Sequence, residues 1–272
     1  MRVALTIAGS DSSGGAGIQA DLKTFQAHGV FGMSAVTAVT VQNTQKVFDI
    51  QEMEPGIVHD QITCLFDDAE IHAVKIGMVS SIELIQAIAK ALMAVKPPSV
   101  ILDPVMISKS GYRLLNQDAQ YALVHYLFPL SDVVTPNIYE TEVLIDKKVD
   151  TVGEMKIAAQ EILKLGAKNV VVKGGHLGED RATDILYDGQ EFKALESRRI
   201  ETKNTHGTGC TFSSAIAANI ALGKGFFEAA TLAKTYITGA IEHSLPIGKG
   251  HGPTHHFYDL YAKAGMKQSE YY

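Results

Sequence analysis

A glycine-rich turn at residues 205–212 runs directly into a pattern of small and apolar residues that is typical of a long helix. Its sequence is Thr-His-Gly-Thr-Gly-Cys-Thr-Phe. The first amide N–H groups of a helix lack partners within the helix and carry the positive end of its dipole. Because glycines let the backbone approach an anion closely, this turn is suited to hold a phosphate group. The alternative is a tight turn whose glycines only permit close packing of the helix.

A second glycine-rich segment, residues 9–17, follows the first apolar run of the chain. Its sequence, Gly-Ser-Asp-Ser-Ser-Gly-Gly-Ala-Gly, does not match the G-x-G-x-x-G fingerprint, and the chain contains no G-x-x-x-x-G-K-[ST] loop. A dinucleotide-dependent oxidoreductase is therefore disfavoured, and any nucleotide must bind in another way. The segment is equally consistent with a structural turn between a strand and a helix.

Short apolar runs alternate with helical patterns along the chain and predict the scaffold that positions these turns. The runs are nearly continuous, as expected for parallel strands buried on both faces. The strand candidates are residues 3–8, 35–41, 73–76, 100–102, 133–135 and 170–173. The helix candidates are residues 17–27, 57–67, 82–94, 117–127, 152–165, 208–222 and 226–243. The alternation predicts an α/β fold, a three-layer α/β/α sandwich with a mainly parallel central sheet.

The domain organisation is predicted to be simple. The turn signal Asp188-Gly189, between apolar runs at 185–187 and 191–195, predicts an antiparallel hairpin at one edge of the sheet. No linker, repeat or long run of charge divides the chain, so residues 1–272 are expected to form one domain. The last residues, 266–272, are polar and are expected to be a frayed tail.

Polar and glycine-rich segments follow most of the predicted strands. In open α/β sheets, ligands bind beyond the carboxyl ends of the strands. The segments at this position are residues 9–17, 42–44, 103–105, 136–140 and 173–176. The sequence therefore predicts one ligand site at this edge of the sheet.

Composition and charge exclude several classes of function. The chain has 24 Lys and Arg against 30 Asp and Glu, a net charge of −6, which argues against a broad basic surface for nucleic acid. No run approaches the roughly 20 apolar residues that a membrane-spanning helix requires. The start of the chain is interpreted as a first strand and not as a signal peptide. Because Cys64 and Cys210 lack disulfide or metal spacing, we expect a reduced, cytoplasmic protein.

Several motifs in collinear order, from residue 3 to about residue 262, resemble those of the hydroxymethylpyrimidine/phosphomethylpyrimidine kinases of thiamine biosynthesis. The motifs are residues 5–21, 42–44, 75–78, 103–106, 135–137 with Glu140, 173–176 and 206–210. The resemblance implies a ribokinase-like fold and a single kinase domain. It also implies two ATP-dependent phosphorylations, first of 4-amino-5-hydroxymethyl-2-methylpyrimidine and then of its monophosphate. Similar kinases are commonly homodimers, and a homodimer is implied here.

On the phosphate side of such a site, transfer depends on neutralising and aligning charge. The backbone amides expected to hold the transferring phosphoryl group are those of Gly207, Thr208, Gly209 and Cys210. Lys173 is expected to place its charge on the ATP phosphates, with Asn137 and Thr208 also on the ATP side. Asp103 and Glu140 would supply oxygen ligands to Mg²⁺, directly or through water. Taken alone, Lys173 equally fits a surface strand end and Glu140 a solvated carboxylate at a helix start.

On the acceptor side, the resemblance implies contacts from five residues. Gln42 can donate and accept hydrogen bonds at once, which suits the edge of an aminopyrimidine ring. Asp21 and Gly9 lie where similar kinases contact the substrate, and Met78 and Val105 would form apolar walls. Without the resemblance, Met78 would be interpreted as a core residue.

Cys210 occupies the position at which sugar kinases of the wider superfamily carry a catalytic aspartate. Its thiolate could act as a base or the side chain could simply shape the anion hole, and burial and the helix start shift a thiol pKa in opposite directions. The histidines lack consistent metal-ligand spacing and are expected to have capping or surface roles; they are His176, His206, His251, His255 and His256. Cys64 is expected in the core.

Two other functions stay open at this point. A pyridoxine/pyridoxal kinase on the same scaffold would also bind a flat heteroaromatic ring with a hydroxymethyl group. The segment Gln42-Asn43-Thr44 favours the pyrimidine, because related bacterial pyridoxal kinases differ in that loop. A non-catalytic pyrimidine sensor is disfavoured, because it would not need the intact set of Lys173, Glu140 and Asp103 beside the glycine turn.

Overall fold

The computed structural model describes residues 1–106, 115–175, 177 and 181–266. The strands in these residues are β1 (Val3–Ser10), β2 (Phe31–Gln42), β3 (Val47–Glu52), β4 (Ala73–Ile76), β5 (Val100–Leu102), β6 (Val133–Val134), β7 (Asn169–Lys173), β8 (Arg181–Tyr187) and β9 (Phe192–Arg198). They form one sheet in the order β3-β2-β1-β4-β5-β6-β7-β8-β9. Apart from Met266, the predicted tail lies outside the described residues, as does His176.

The centre of the sheet is parallel and both of its edges are antiparallel. Strands β2, β1, β4, β5, β6 and β7 pair in parallel, whereas β3 pairs antiparallel to β2, and β8 and β9 extend the other edge antiparallel. The predicted parallel core and the hairpin at Asp188-Gly189 are confirmed. Strand β3 was not predicted, because its sequence Val-Phe-Asp-Ile-Gln-Glu is largely exposed and contains no continuous apolar run.

The described helices are α1 (Gly17–Ala27), α2 (Pro55–Asp68), α3 (Ile82–Val95), α4 (Gln117–Leu127), α5 (Ile138–Ile145), α6 (Val152–Leu163), α7 (Thr208–Ala221), α8 (Phe226–Glu242) and α9 (Tyr258–Lys263). All seven predicted helices are confirmed, with ends that differ by no more than two residues. The short helices α5 and α9 were not predicted, because eight and six residues give too few turns for a clear apolar stripe. Within the described part of the chain, none of these helices has both the length and the apolar surface needed to cross a membrane.

Helices cover both faces of the sheet, which confirms the three-layer prediction. Helices α1, α7 and α8 pack on one face, and α2, α3, α4 and α6 pack on the other. Strand β4 shows how the two cores separate: Val74 and Ile76 are buried in the core beneath α3, whereas Ala73 is buried in the core beneath α7. Side chains of a strand alternate between faces, so Lys75 lies on the α7 side, within the protein interior.

Candidate active site

A cavity of about 940 Å³ opens at the carboxyl ends of the parallel strands. This volume is typical of a site for a small molecule or cofactor. Each parallel strand contributes lining residues at or just beyond its end, among them Gly9, Gln42, Lys75, Asp103, Asn137 and Lys173. The predicted convergence of these segments at one edge of the sheet is therefore confirmed, whereas ligand binding there remains a prediction.

The glycine turn before α7 forms one wall of this cavity. Gly207 immediately precedes the helix in the left-handed conformation, with φ +76°, and no side chain caps the helix start. A Cβ atom on Gly207 would overlap the carbonyl oxygen of Gly15, so the two glycine-rich segments pack against each other. Residues 207–210 line the cavity, as a phosphate-binding helix start requires.

Lys173 and Asp103 lie against this helix start. The Nζ atom of Lys173 donates to Asp103 Oδ1 at 2.8 Å, and Thr135 Oγ1 donates to the same oxygen at 3.1 Å. A Cβ atom on Gly209 would lie 3.4 Å from Asp103 Oδ2 and 3.5 Å from Lys173 Nζ. A cation, a carboxylate and the first turn of α7 thus meet at one point. Their roles toward ATP remain predictions.

Each charge in this group changes the pKa of the other. Burial raises the pKa of Asp103, but Lys173 and Lys75 outweigh it and lower that pKa below its ordinary value. Burial likewise lowers the pKa of Lys173, but Asp103 and Glu140 outweigh it and raise that pKa. The pair is therefore fully ionised near neutral pH.

Glu140 is buried at the start of α5 through a capping box. Asn137 Oδ1 accepts from the Glu140 N–H at 3.0 Å, and Glu140 Oε2 accepts from the Asn137 N–H at 2.8 Å. The side-chain oxygen of Asn137 is thereby committed to the helix cap. Burial raises the pKa of Glu140 to about 7, with Asp103 adding to the rise and Lys173 opposing it. Glu140 lines the cavity, so the alternative of a solvated surface carboxylate is wrong.

Cys210 lies in the first turn of α7 and lines the cavity. Burial raises the pKa of its thiol to about 11, although Lys75 opposes the rise. The thiol therefore keeps its proton near neutral pH, and a protonated thiol cannot accept another. Between the two predicted roles of Cys210, this environment favours shaping the anion hole over acting as a base.

Asp21 lies beneath the cavity and not in its wall, which corrects the expectation that it contacts the substrate directly. Its side chain exposes no surface. Its oxygens accept hydrogen bonds from Lys75 Nζ, Thr6 Oγ1 and Ser214 Oγ. Lys75 does line the cavity, so Asp21 lies directly behind a residue of the cavity wall. The sequence signal for this pair was a lysine inside the apolar run of β4.

The other residues predicted on the acceptor side all line the cavity, namely Gly9, Gln42, Met78 and Val105. Met78 is half-buried, and a Cβ atom on Gly9 would overlap its terminal methyl group, so the two are packed against each other. The alternative of Met78 as a plain core residue is therefore wrong. Binding of an acceptor by these four residues remains a prediction.

The first glycine loop is organised around Asp11, which the sequence analysis did not single out. Asp11 Oδ1 accepts from the Ser13 N–H at 2.8 Å, and Oδ2 accepts from the Ala16 N–H at 2.8 Å and from His206 Nε2 at 2.7 Å. Burial raises the pKa of Asp11, but the hydrogen bonds from His206 and Ser13 outweigh it and lower that pKa to about 2. The carboxylate is therefore a permanent acceptor for the loop.

A second ion pair that the sequence analysis missed lies in the cavity wall. Lys234 Nζ donates to Asp184 Oδ2 at 2.8 Å and to the Ala182 carbonyl oxygen at 3.0 Å. The N–H of Gly174 donates to Asp184 Oδ1 at 3.0 Å, which fixes the backbone directly after Lys173. As with Lys75, the available signal was a charged residue inside an otherwise apolar strand or helix.

The histidines differ in their environments. His251 is exposed, whereas His206, His255 and His256 are buried, so of the two predicted roles, capping or surface, the surface role is wrong for these three. His256 Nε2 lies 3.1 Å from Thr211 Oγ1 in α7. Among the residues that the structure describes, no three His, Cys, Asp or Glu side chains are grouped as a metal site. Cys64 is exposed on α2, so its predicted core position is wrong.

Sequence comparisons relate the chain to a family of kinases. A model of the family described as phosphomethylpyrimidine kinase matches residues 11–255. The chain is 49% identical over 259 residues to the hydroxymethylpyrimidine/phosphomethylpyrimidine kinase of Rhizobium meliloti (strain 1021), covering 94% of this chain and 97% of that one. It is 48% identical over 252 residues to the thiamine biosynthesis bifunctional protein ThiED of Geobacter sulfurreducens, covering 93% of this chain. It spans about half, 51%, of the length of that relative.

Solved structures give the same fold. An ADP complex of Bacillus subtilis pyridoxal kinase superposes with a TM-score of 0.89 and 41% identity, covering 96% of this chain and 99% of that one. The phosphomethylpyrimidine kinase of Clostridium difficile 630 superposes with a TM-score of 0.80 and 49% identity, covering 89% of this chain and 100% of that one. The Staphylococcus aureus pyridoxal kinase in complex with AMP-PCP and pyridoxal superposes with a TM-score of 0.88 and 34% identity, covering 95% of each chain. The neighbours thus include proteins named for a pyrimidine and proteins named for pyridoxal.

Proposed function

This chain belongs to the phosphomethylpyrimidine kinase family, and on that premise we propose that it catalyses two successive ATP-dependent phosphorylations in thiamine biosynthesis. The first acts on the hydroxymethyl group of 4-amino-5-hydroxymethyl-2-methylpyrimidine. The second converts the resulting monophosphate to the diphosphate. The observation that carries the proposal is the meeting of Lys173, Asp103 and the first turn of α7 in a cavity that Gln42 also lines.

The phosphate side of the cavity supports transfer by electrostatics and alignment. The amides at the start of α7 are held by the packing of Gly207 on Gly15, so they need not reorganise when charge develops on the phosphoryl oxygens. Lys173 keeps its charge near neutral pH because Asp103 stabilises it. We assign Lys173 and the turn to the phosphates of ATP, with Cys210 shaping the hole.

We assign Asp103 and Glu140 as the groups that would hold Mg²⁺, directly or through water. Both are buried carboxylates, and burial together with Asp103 raises the pKa of Glu140 to about 7 despite Lys173. A hard divalent cation prefers carboxylate oxygens, and a cation here would relieve the repulsion between the two groups. When bound, Mg²⁺ would neutralise charge on the phosphates. The chain's own part is to fix both carboxylates, through Thr135 and through the helix cap at Asn137.

Pyridoxal is the second candidate acceptor, because the pyridoxal kinases of Bacillus subtilis and Staphylococcus aureus superpose on this chain over most of its length. Both acceptors are flat heteroaromatic rings with a hydroxymethyl group. The family model and the relatives that share nearly half of the residues favour the pyrimidine. We therefore expect pyridoxal to be at most a secondary acceptor.

We further propose that residues 1–272 form one kinase domain, that the protein is cytoplasmic and that it is a homodimer. The single sheet supports the first point, and the free thiols of Cys64 and Cys210 support a reducing compartment. Val39 and Val41 of β2, the strand next to the edge strand β3, are about half exposed on the same face, which supports a contact with a second copy. Sedimentation equilibrium at micromolar concentration tests the dimer, and a monomer mass would contradict it.

The function is tested with the purified chain, Mg²⁺ and ATP in an ADP-release assay, with the products identified by mass. We expect ADP release with the hydroxymethylpyrimidine and with its monophosphate, giving the monophosphate and the diphosphate. Release with pyridoxal alone would establish the second candidate. Tight pyrimidine binding by calorimetry without ADP release would instead identify a sensor.

A further inference from the structure

A chain of three polar side chains links the first glycine loop to Gln42. The Asp11 carboxylate accepts from His206 Nε2 at 2.7 Å, and the same Nε2 atom lies 3.4 Å from the amide of Gln42. His206 directly precedes Gly207, and Gln42 is at the end of β2. The three residues therefore connect the wall assigned to the acceptor with the turn assigned to phosphate.

The imidazole of His206 is fixed in place by its surroundings. It is buried, and a Cβ atom on Gly15 would overlap its ring, so the ring packs directly on the backbone of the first loop. The backbone N–H of His206 donates to the Gly252 carbonyl oxygen at 3.1 Å. Since a carboxylate only accepts, the proton of the short contact belongs to His206 and is donated to Asp11.

The proton on His206 decides how the Gln42 amide is oriented. An amide nitrogen beside the Nε2–H group would place two donors together, so the atom facing His206 is the amide oxygen. The other end of the amide, 3.3 Å from Thr40 Oγ1, is then the nitrogen, because the amide oxygen and nitrogen can be exchanged without moving any other atom. Thr40 Oγ1 donates its own proton to the Ser10 carbonyl oxygen at 2.8 Å, and it is therefore able to accept one. Each proton then meets an acceptor, and the single Nε2–H of His206, donated to Asp11 at 2.7 Å, extends a weaker second branch to the Gln42 amide oxygen at 3.4 Å.

We propose that His206 is a positioning residue, held by Asp11, that fixes the Gln42 amide so that it presents an N–H donor to an unprotonated ring nitrogen of the acceptor. One amide N–H is used by Thr40, which leaves the second for the ligand. The inference rests on the proposed function, because it names how that site recognises its heteroaromatic substrate. It gives His206 a role in acceptor binding with no contact to the reacting atoms.

The test compares His206→Leu, which removes the donor, with His206→Gln, which returns an N–H near the Nε2 position. We expect His206→Leu to raise the KM for the hydroxymethylpyrimidine about fivefold, less than for an unshared hydrogen bond because the Nε2–H is shared with Asp11, with the KM for ATP changed less than about twofold. His206→Gln is expected to restore part of the loss. His125→Leu, an exposed histidine on α4, is the matched control and should leave both constants unchanged.

A double-mutant cycle separates positioning from a general structural effect. If His206 acts through Gln42, the substitution His206→Leu should change the acceptor KM little in a Gln42→Ala background. An analogue with a ring CH in place of a ring nitrogen should lose affinity in the parent and much less in His206→Leu. The inference would be overturned if the two substitutions raised the acceptor KM by independent, multiplying factors. It would also be overturned if the affinity lost with the ring-CH analogue were the same in the parent and in His206→Leu.

Two measures keep this result distinct from failure of the proposed function. Acceptor affinity is measured by calorimetry as well as by turnover, with the pyrimidine and with pyridoxal, so an inactive parent can still be compared with its variants. Thermal unfolding of each variant shows whether it folds. If His206→Leu does not fold, the loss of affinity for the ring-CH analogue is compared in His206→Gln and in Gln42→Ala. Because His206→Gln keeps a donor and Gln42→Ala has no amide, the loss should be larger in His206→Gln. An equal loss in the two variants would contradict the role of the donor.

Discussion

The Nζ atom of Lys75 lies 2.9 Å from each carboxylate oxygen of Asp21, and neither side chain exposes any surface. The pair joins β4 to α1, and hydrogen bonds from Thr6 and Ser214 extend it to β1 and α7. Burial lowers the pKa of Lys75, but Asp21 outweighs it and the pKa is raised. Four elements that position the site are thus tied together by one buried charge pair.

Removing one partner of this pair should be more damaging than removing both. Asp21→Asn leaves Lys75 as a buried charge without its counter-ion, and we expect a loss of about 3–5 kcal/mol in the free energy of unfolding. The double variant Asp21→Asn with Lys75→Met should recover much of that loss. Urea denaturation measures both.

The exposed pair of Lys224 and Glu228, 2.7 Å apart in one turn, is the matched control. Glu228→Gln should change the free energy of unfolding by less than about 1 kcal/mol. Equal effects of Asp21→Asn and Glu228→Gln would contradict a central role for the buried pair.

A carboxylate placed at Gly209 should abolish phosphoryl transfer. The added side chain would start 3.4 Å from Asp103 Oδ2 and would compete with the incoming phosphoryl group. We expect Gly209→Asp to lower kcat at least about a hundredfold, as loss of an oxyanion-hole donor does. Gly209→Ala, whose Cβ makes only ordinary contacts, separates the charge from the volume. Gly56→Asp, with open space around it in α2, should leave kcat unchanged, and retained turnover in a folded Gly209→Asp would refute the phosphate assignment.

The pH dependence of stability should report on Glu140. Its pKa is raised from 4.5 in the unfolded chain to about 7 by burial, with Asp103 adding to the effect. A carboxyl with a raised pKa favours the folded state below its unfolded pKa and loses that contribution as the pH rises through its folded pKa. The ligand-free protein should therefore lose stability between about pH 4.5 and 7 relative to Glu140→Gln.

Urea titrations of both proteins at several pH values in this window measure the difference. The affinity for Mg²⁺ and ATP should weaken in the parent as the pH falls below 7, because protons compete for Glu140, and this loss should be absent in Glu140→Gln. A stability difference that does not vary with pH would mean that Glu140 is already ionised at the lower end of the window.

Alkylation should distinguish the two cysteines. The pKa of the buried Cys210 thiol is raised to about 11, and the thiolate is the reactive form. We expect iodoacetamide at pH 7.5 to label the exposed Cys64 well before Cys210, and the rate at Cys210 to increase as the pH rises. Peptide mass analysis with and without Cys64→Ala measures both rates. Cys210→Ser should keep kcat within about tenfold, whereas a loss of more than about a thousandfold would restore the base role.

Much of the scaffold was predictable because each piece is a local property of the chain. The apolar runs of the parallel strands and the helical patterns depend on residues close together in the sequence, and the position of the loops after the strands follows from the topology. The pairing of Asp21 with Lys75 spans 54 residues, and that of Asp11 with His206 spans 195. Neither pair can be predicted from the spacing of apolar residues along the sequence. A charge inside an apolar run shows that a partner must exist and leaves its identity to the fold.

The edge strand β3 and the burial of three histidines were missed for a related reason. Strand β3 is formed by pairing with β2 and not by its own composition, which is half polar and largely exposed. His206 and His256 are polar residues in polar sequence contexts, and their burial depends on packing against residues far away in the chain. Such positions are decided by tertiary contacts, which override local preference.

The backbone contact between Gly207 and Gly15 unites segments that leave the ribosome far apart in time. A nascent chain that stops short of α7 has the first loop and Lys173 but lacks the helix-start amides assigned to the transferring phosphoryl group, however well its sheet has folded. Catalytic competence is thus deferred to a late moment of synthesis. For the same reason, the chain could be divided before α7 and supplied as two fragments. Kinase activity would then report whether the two fragments have reassembled.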